Sequence, residues 1–207
     1  MFIFQIIILI FSVIIHEVSH GFMALCFGDK TAQYEGRLTL NPIKHLDWFG
    51  SILLPLLLFI MHTGFMFGWA KPVVYNPYNL KNRNIAEPII SFAGPASNLF
   101  LAIIFGLFIR ILLYFNFSTS SLIEIFGFVV LINIGLALFN LIPIPPLDGS
   151  KIFFNFLSPN IRYKFFEISE KYGLIIIIFA IIFLPSFISP IIFSLFRFFT
   201  GLQGMFI

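Results

Sequence analysis

The stretch FIFQIIILIFSVIIHEVSHGFMALCF, from Phe2 to Phe27, is apolar along most of its length and carries His16, Glu17 and His20 near its end. A run of this length is sufficient for a helix that crosses the roughly 30 Å hydrocarbon layer of a bilayer. Ionisable residues within a membrane span are costly and usually mark a functional site. The stretch therefore predicts a transmembrane helix with a polar site near one end.

The composition of the whole chain also indicates a membrane protein. Of its 207 residues, 59% are hydrophobic and 10% are charged, against roughly 25% charged in ordinary soluble domains. The apolar stretches occupy nearly all of this length, which predicts a single membrane-embedded domain over residues 1–207. The formal net charge is only +3 and the basic residues are spread over polar connections, so nucleic acid is not expected as a partner. The start lacks a basic region and a small-residue cleavage site, so we expect it to be retained and not removed as a signal peptide.

Four stretches are long and apolar enough to be predicted as membrane spans. They are Phe2 to Phe27, Ile89 to Phe115, Leu122 to Ile142 and Leu174 to Phe199. Pro185 and Pro190 are expected to kink or break the last of these. A fifth apolar stretch, Phe49 to Phe67, also contains polar residues, so the sequence allows about four to six transmembrane helices.

The distribution of charge favours a re-entrant path for Phe49 to Phe67 over a full crossing. If this stretch enters the membrane and returns, most Lys and Arg residues fall on one face, which the positive-inside rule makes cytoplasmic. The residues on that face would be Lys30, Arg37, Lys44, Lys71, Lys81, Arg83, Lys151, Arg162, Lys164 and Lys171. If the stretch crosses instead, the basic residues are divided between the two sides. The re-entrant topology also places the amino terminus outside.

Two polar stretches flank this apolar segment and show the pattern of short strands. Gly36 to Asn41 (GRLTLN) and Ala70 to Asn76 (AKPVVYN) contain alternating Thr and Val positions and are bounded by Gly and Pro, as strands often are. We expect them to pair as a small membrane-associated β-hairpin. The predicted fold class is therefore an all-α polytopic membrane protein with about four to six transmembrane helices and this hairpin region.

The pentapeptide HEVSH, His16 to His20, is an H-E-x-x-H motif. Two histidines four residues apart on a helix project from the same face and can bind one zinc ion, and Glu17 is then placed to act as a general base. A structural zinc would usually have four protein ligands, often cysteines, whereas Cys26 is the only cysteine. The alternative, in which the histidines only hydrogen-bond to neighbouring helices, is disfavoured by the cost of burying them.

A third metal ligand must come from elsewhere, and Asp148 is the strongest acidic candidate. It lies in NLIPIPPLDG, Asn140 to Gly149, at the end of the third span. The re-entrant topology places this point on the same face as the histidine pair. The prolines force an irregular backbone, which is tolerated at membrane depth where it lines a cavity. The alternative is that Asp148 only caps the helix that begins near Gly149.

With these motifs together, the chain resembles the site-2 protease family of intramembrane zinc metalloproteases, in particular the small bacterial members that lack PDZ and CBS domains. The motifs that carry the resemblance are HEVSHG (His16 to Gly21), GRLTLNP (Gly36 to Pro42), GWAKPV (Gly68 to Val73), AGPASN (Ala93 to Asn98) and NLIPIPPLDG. The small residues of AGPASN favour a role in helix packing over a direct role in chemistry.

The resemblance implies one zinc ion per chain, bound by His16, His20 and Asp148, and a water activated by Glu17. It implies that Asn140 contacts the substrate backbone or the oxyanion. The implied substrates are membrane-spanning proteins or remnant signal peptides, cut in the bacterial cytoplasmic membrane after a β-region has presented them in extended form.

Two other functions are compatible with a metal motif in a membrane protein. A metal transporter would be expected to carry ionisable residues along several spans, whereas Arg110 and Glu124 are isolated. An inactive scaffold would not need to keep both Glu17 and Asp148. The sequence therefore favours the protease.

Overall fold

The computed structural model describes residues 2–47, 71–116 and 120–202, together with Leu53 and Ile60. All regular structure in these ranges is helical. The helices are α1 (Phe2–Cys26), α2 (Thr31–Tyr34), α3 (Arg83–Tyr114), α4 (Ser120–Asn140), α5 (Asp148–Phe154) and α6 (Pro159–Thr200), with short 3-10 turns at Pro42–His45 and Pro77–Asn79.

Three helices in the described part of the chain are long and apolar enough to cross a membrane. They are Ile3–Cys26, Arg83–Tyr114 and Ser121–Asn140. These helices confirm the predicted all-α membrane class. α6 has 42 residues and continues through Pro185 and Pro190, so the expected break does not occur. Only its end, Ser186–Thr200, stands out as a shorter apolar helix.

The helices present apolar side chains outward and polar side chains inward. Ile3 is 70% exposed and Phe100 is 64% exposed, whereas Ser12, Asn98 and Asn133 are almost completely buried. A soluble protein has the opposite distribution. Apolar outer faces are expected where lipid surrounds the helices, and the polar groups are then left to satisfy one another inside.

The main apolar core joins α3, α4 and α6. Its buried members are Ala102, Ile109, Val130, Ile134 and Phe196. Gly106 permits close packing here, because a Cβ at this position would lie 2.8 Å from Cβ of Phe199. At the same end of the bundle, Arg110 Nε donates to the carbonyl oxygen of Phe199 over 2.8 Å. The carboxyl ends of α3 and α6 therefore lie side by side.

The polar segments on either side of Phe49 to Phe67 meet at the carboxyl end of α1. The Lys81 N–H donates to the Phe27 carbonyl oxygen over 2.9 Å, and the Lys71 N–H donates to the His45 carbonyl oxygen over 2.8 Å. The described residues that flank this stretch, His45 and Lys71, are therefore adjacent. The stretch Phe49 to Phe67 itself lies outside the described residues, apart from Leu53 and Ile60.

The predicted β-hairpin is not confirmed, since neither of the two polar stretches forms a strand over its described residues. The physical reason is that their backbone donors have other acceptors. Val73 N–H donates to Glu17 Oε2 over 2.9 Å, and Asn76 N–H donates to Asp29 Oδ2 over 2.7 Å. Side-chain carboxylates from α1 and its exit thus replace the partner strand for the second segment.

Candidate metal centre

Three predicted ligands, His16, His20 and Asp148, come together at one point. Asp148 Oδ2 lies 3.0 Å from Nε2 of His16 and 3.1 Å from Nε2 of His20. The two Nε2 atoms are 3.1 Å apart. The histidines are one helical turn apart on α1, whereas Asp148 arrives from the start of α5, more than 120 residues later in the chain. In the described ranges, these are the side chains that form a possible metal-binding group.

The carboxylate of Asp148 is directed to the histidines and not to a helix cap. Asp148 is the first residue of α5, and the N-cap position belongs to Leu147. Oδ2 of Asp148 faces Nε2 of both histidines, and a carboxyl group binds a metal in its ionised form.

Close packing and a hydrogen bond to α3 help to hold α5 in place. A Cβ on Gly149 would collide with the carbonyl oxygens of Leu141 and Ile142, so the glycine allows α5 to begin against the preceding turn. At the other end, Asn155 Nδ2 donates to the Asn84 carbonyl oxygen over 2.6 Å. That carbonyl lacks its helical donor because the residue four positions later in α3 is Pro88, and proline has no N–H.

A buried amide fixes the ring of His16. Asn98 Oδ1 lies 2.6 Å from His16 Nδ1, while Asn98 Nδ2 donates to the Ser12 carbonyl oxygen over 3.2 Å and to Asn133 Oδ1 over 2.8 Å. Because two acceptors surround the amide nitrogen, the amide oxygen must face the histidine. His16 Nδ1 therefore carries the proton, and Nε2 presents its lone pair to Asp148 and His20.

The ring of His20 is oriented in the same way by a backbone carbonyl. His20 Nδ1 lies 2.7 Å from the carbonyl oxygen of Ile90 in α3, an atom that can only accept. The approach of α3 depends on Gly94, because a Cβ there would collide with Nε2 of both His16 and His20. Both rings thus have protonated Nδ1 atoms and turn Nε2 to a common point.

This donor set fits a zinc ion. Ligand atoms at about 2.0–2.1 Å around a tetrahedral zinc are roughly 3.3 Å from one another, close to the 3.0–3.1 Å separations between the three atoms here. Two imidazole nitrogens and one carboxylate also form the three-ligand set of catalytic zinc sites, which leaves the fourth position to water or substrate. The outer hydrogen bonds from Asn98 and Ile90 are of the kind that orient metal-binding histidines.

The two other predicted site residues lie on α1 and at the end of α4. Glu17 is half-buried on α1, and its Oε2 accepts the hydrogen bond from Val73 N–H. Asn140 is the last residue of α4, and its Nδ2 donates to the Leu136 carbonyl oxygen over 3.0 Å. The role of Asn140 in contacting substrate therefore stays a prediction.

The sequence did not predict the side chains that orient the two histidines. AGPASN was assigned to helix packing, yet Asn98 contacts His16 directly and Gly94 makes room for both rings. Asn133, which accepts from Asn98 Nδ2 and donates to Ser12 Oγ, was not predicted as part of the site. The available signal was the position of two asparagines inside apolar spans, since buried amides need partners at membrane depth.

Comparisons with known proteins agree with this geometry. The family described as "Peptidase family M50" matches residues 108–185. The protein "Putative zinc metalloprotease YwhC" of Bacillus subtilis is 42% identical over 195 residues, which cover 91% of this chain and 81% of that protein.

The chain belongs to peptidase family M50. The protein "Putative zinc metalloprotease Rip2" of Mycolicibacterium smegmatis is 28% identical over 83% of this chain and 63% of its own length. "Putative zinc metalloprotease MJ0611" of Methanocaldococcus jannaschii is 33% identical over 67% of this chain and 63% of its own length. No solved structure matches the chain significantly.

Family membership confirms the resemblance to site-2 proteases and the predicted enzyme class, a zinc metalloprotease of the site-2 type. The structure adds that the His and Asp side chains of two separate motifs meet in this M50 chain.

Proposed function

We propose that this M50 protein is an intramembrane endopeptidase that cuts membrane-spanning proteins or remnant signal peptides. The observation that carries the proposal is the meeting of His16 Nε2, His20 Nε2 and Asp148 Oδ2 within 3.1 Å of one another. This group lies among helices whose outer faces are apolar. A peptide bond that reaches it must come from the membrane or its edge.

His16, His20 and Asp148 would hold one zinc ion per chain. When bound, a zinc ion in such a site lowers the pKa of a water molecule and polarises the scissile carbonyl. Asn98 and the Ile90 carbonyl keep the two histidines in the tautomer that this binding needs, because they occupy both Nδ1–H groups.

Glu17 moves the proton in this mechanism. Its Oε2 is held by Val73 N–H, which restrains the rotamer and leaves Oε1 as the acceptor for the proton of the attacking water. The same carboxyl then donates that proton to the leaving amine. Asn140 would contact the substrate backbone or the oxyanion from the end of α4.

The substrate must be locally unwound, because a transmembrane helix hides its carbonyls in its own hydrogen bonds. The segment Lys71–Asn76 has no helical structure and lies beside Glu17, with Val74 51% exposed. We propose that this segment presents the substrate in extended form, the role expected of the predicted β-region.

The proposed topology has α1 and α4 running inward and α3 and α6 running outward across the bacterial cytoplasmic membrane. The contact of Arg110 with the end of α6 supports α6 as a fourth span, because it puts the carboxyl ends of α3 and α6 together. The meeting of Lys81 with Phe27 supports a re-entrant path for residues 48–70.

The test is cleavage by Glu17→Gln in detergent and in liposomes. The substrate would be a single-span membrane protein with a fluorescent tag at each end, chosen because the wild-type protein cuts it. We expect turnover to be abolished while zinc remains bound, since the amide cannot accept the proton but the three ligands are intact. Turnover within tenfold of wild type would rule out Glu17 as the general base.

A further inference from the structure

The buried carboxylate of Asp29, just after α1, accepts hydrogen bonds from the segment Lys71–Asn79, which also contacts Glu17. Asp29 is 1% exposed and accepts four hydrogen bonds. Its Oδ1 accepts from Thr31 N–H over 3.2 Å, from Thr31 Oγ1 over 2.6 Å and from Asn79 Nδ2 over 2.9 Å. Its Oδ2 accepts from Asn76 N–H over 2.7 Å. One oxygen thus serves mainly the local turn, and the other serves only the distant segment.

Asp29 is ionised under ordinary conditions, as such a role requires. Burial alone would favour the neutral form, but the hydrogen bonds from Thr31, Asn79 and Asn76 hold the pKa of Asp29 below its usual range. Hydrogen bonds to a charged acceptor are stronger than those between neutral groups. The bond to Asn76 is therefore a firm attachment of the segment.

Val73 lies between two backbone hydrogen bonds that attach the segment to the rest of the protein. Lys71 N–H is bonded to the His45 carbonyl oxygen, and Asn76 N–H is bonded to Asp29. Asn76 is three residues from Val73, and an extended chain spans at most about 3.6 Å per residue. The position of Asn76 therefore limits where Val73 N–H can lie.

The surface of α1 is shaped to receive Val73 at this point. A Cβ on Gly21 would lie 2.7 Å from Val73 Cγ1 and 2.7 Å from Leu38 Cδ2. Val73 is 6% exposed, whereas Pro72 and Val74 on either side are exposed. The side chain of Val73 thus docks over Gly21 while its N–H reaches the carboxylate of Glu17, one helical turn earlier.

We propose that Asp29 is a positioning residue, which latches the segment Lys71–Asn79 so that Val73 N–H holds Glu17 in its working orientation. Asp29 acts on the chemistry only through the Val73 N–H. The consequence for turnover rests on the proposed function, whereas the latch itself can be measured without a substrate.

The substitution Asp29→Asn distinguishes the roles of the two carboxylate oxygens. An asparagine can keep one oxygen for Thr31 and Asn79, but its amide NH₂ then faces the Asn76 N–H, and two donors do not bond. The attachment at Asn76 N–H is lost, while the hydrogen bonds of Oδ1 with Thr31 and Asn79 stay. Thr31→Val is the matched control, because it removes a donor to Oδ1 and leaves the bond between Asn76 and Oδ2 in place.

Hydrogen exchange of the segment, measured by mass spectrometry on the full-length protein in detergent, tests the latch. We expect Asp29→Asn to accelerate exchange at both Asn76 and Val73 by about 10- to 100-fold, the range for losing a hydrogen bond to a charged group. Thr31→Val should leave both amides protected. Protection of Val73 that is unchanged in Asp29→Asn would overturn the proposal.

Turnover measurements test whether the latch serves Glu17. Asp29→Asn should lower kcat by about 10- to 100-fold, as small displacements of catalytic groups do, with zinc content unchanged. Val73→Pro, which lacks the N–H, should lower kcat similarly. Thr31→Val is the control for turnover as well, because it leaves the bond between Asn76 N–H and Asp29 Oδ2 in place.

The double variant gives the sharpest result. If Asp29 acts through Val73, adding Asp29→Asn to Val73→Pro should lower kcat by no more than about twofold further. Independent, multiplying losses would overturn the proposal, as would full activity of Asp29→Asn on a substrate whose cleavage needs Glu17. If the wild-type protein cuts no membrane substrate, the proposed function fails, and the exchange measurements still decide whether Asp29 latches Val73.

Discussion

Replacing Asn98 by alanine should weaken zinc binding without touching a metal ligand. The change removes the oxygen that accepts the His16 Nδ1–H, so the ring loses both its fixed rotation and its fixed tautomer. Loss of such an outer hydrogen bond typically lowers metal affinity by about 10- to 100-fold, which corresponds to about 1.4–2.7 kcal/mol. The contact is short, 2.6 Å, and buried, so we expect a loss within this range.

The same variant should also lower the free energy of unfolding. Alanine leaves two buried groups without their partner, His16 Nδ1–H and Asn133 Oδ1, and each unsatisfied group costs about 1–3 kcal/mol. The sum is about 2–6 kcal/mol. Zinc affinity can be separated from this stability loss because it is measured below the melting temperature, by competition with a chromophoric chelator in detergent.

Two matched variants make the measurement specific. Ser97→Ala removes a hydroxyl that donates to the Gly94 carbonyl oxygen within α3, and it should change neither zinc affinity nor stability by more than about 0.5 kcal/mol. Asn133→Ala removes the outer amide but keeps the contact of Asn98 with His16, so it should lower stability more than zinc affinity. Zinc affinity of Asn98→Ala within twofold of wild type would refute the proposed role of Asn98.

Two further predictions concern helix approach and topology. Gly94→Ala should weaken zinc binding, because its methyl group would collide with Nε2 of both histidines and such overpacking typically costs about 1–3 kcal/mol. Gly135→Ala is the control, since its Cβ would lie 3.9 Å from Ile192 Cδ1, and undiminished zinc affinity in Gly94→Ala would contradict the geometry. In intact cells, a cysteine at Lys81, in a chain whose exposed Cys26 is replaced by serine, should resist an impermeant thiol reagent added from outside, because the proposed topology places this residue on the cytoplasmic face. Rapid labelling would show instead that residues 48–70 cross the bilayer.

The parts of the fold that follow from local sequence were predictable. The spans corresponding to α1, α3 and α4 were located from apolar length alone, although α3 begins at Arg83, six residues before the predicted start. Its first turns are polar, and a hydropathy pattern does not record a helix that extends beyond the membrane. Of the expected kink or break in α6, the break at Pro185 does not occur, and the sequence does not show which neighbouring groups satisfy the backbone that a proline leaves free.

The grouping of His16, His20 and Asp148 was predictable for a different reason. Zinc chemistry restricts the residue types, and H-E-x-x-H fixes the spacing of His16 and His20 on one helix face. Asp148 followed from topology and the shortage of other acidic residues. The side chains that orient these groups were not predictable, because Asn98 and Asp29 act through contacts with residues 47 to 82 positions away. Distant contacts also explain why the expected second strand does not form. The N–H groups of Val73 and Asn76 donate to the carboxylates of Glu17, in α1, and of Asp29, just after it.

Metal analysis of purified Asp148→Ala beside the wild-type protein tests the central claim most directly. Asp148 supplies the only oxygen in the group of three, from a helix far from α1 in sequence, and a zinc site built from both motifs cannot form without it. We expect about one tightly held zinc per wild-type chain, with imidazole and carboxylate ligands at about 2.0–2.2 Å in X-ray absorption spectra, and loss of both zinc and proteolysis in the variant. An Asp148→Ala protein that keeps one tightly bound zinc and cuts its substrate would contradict the account.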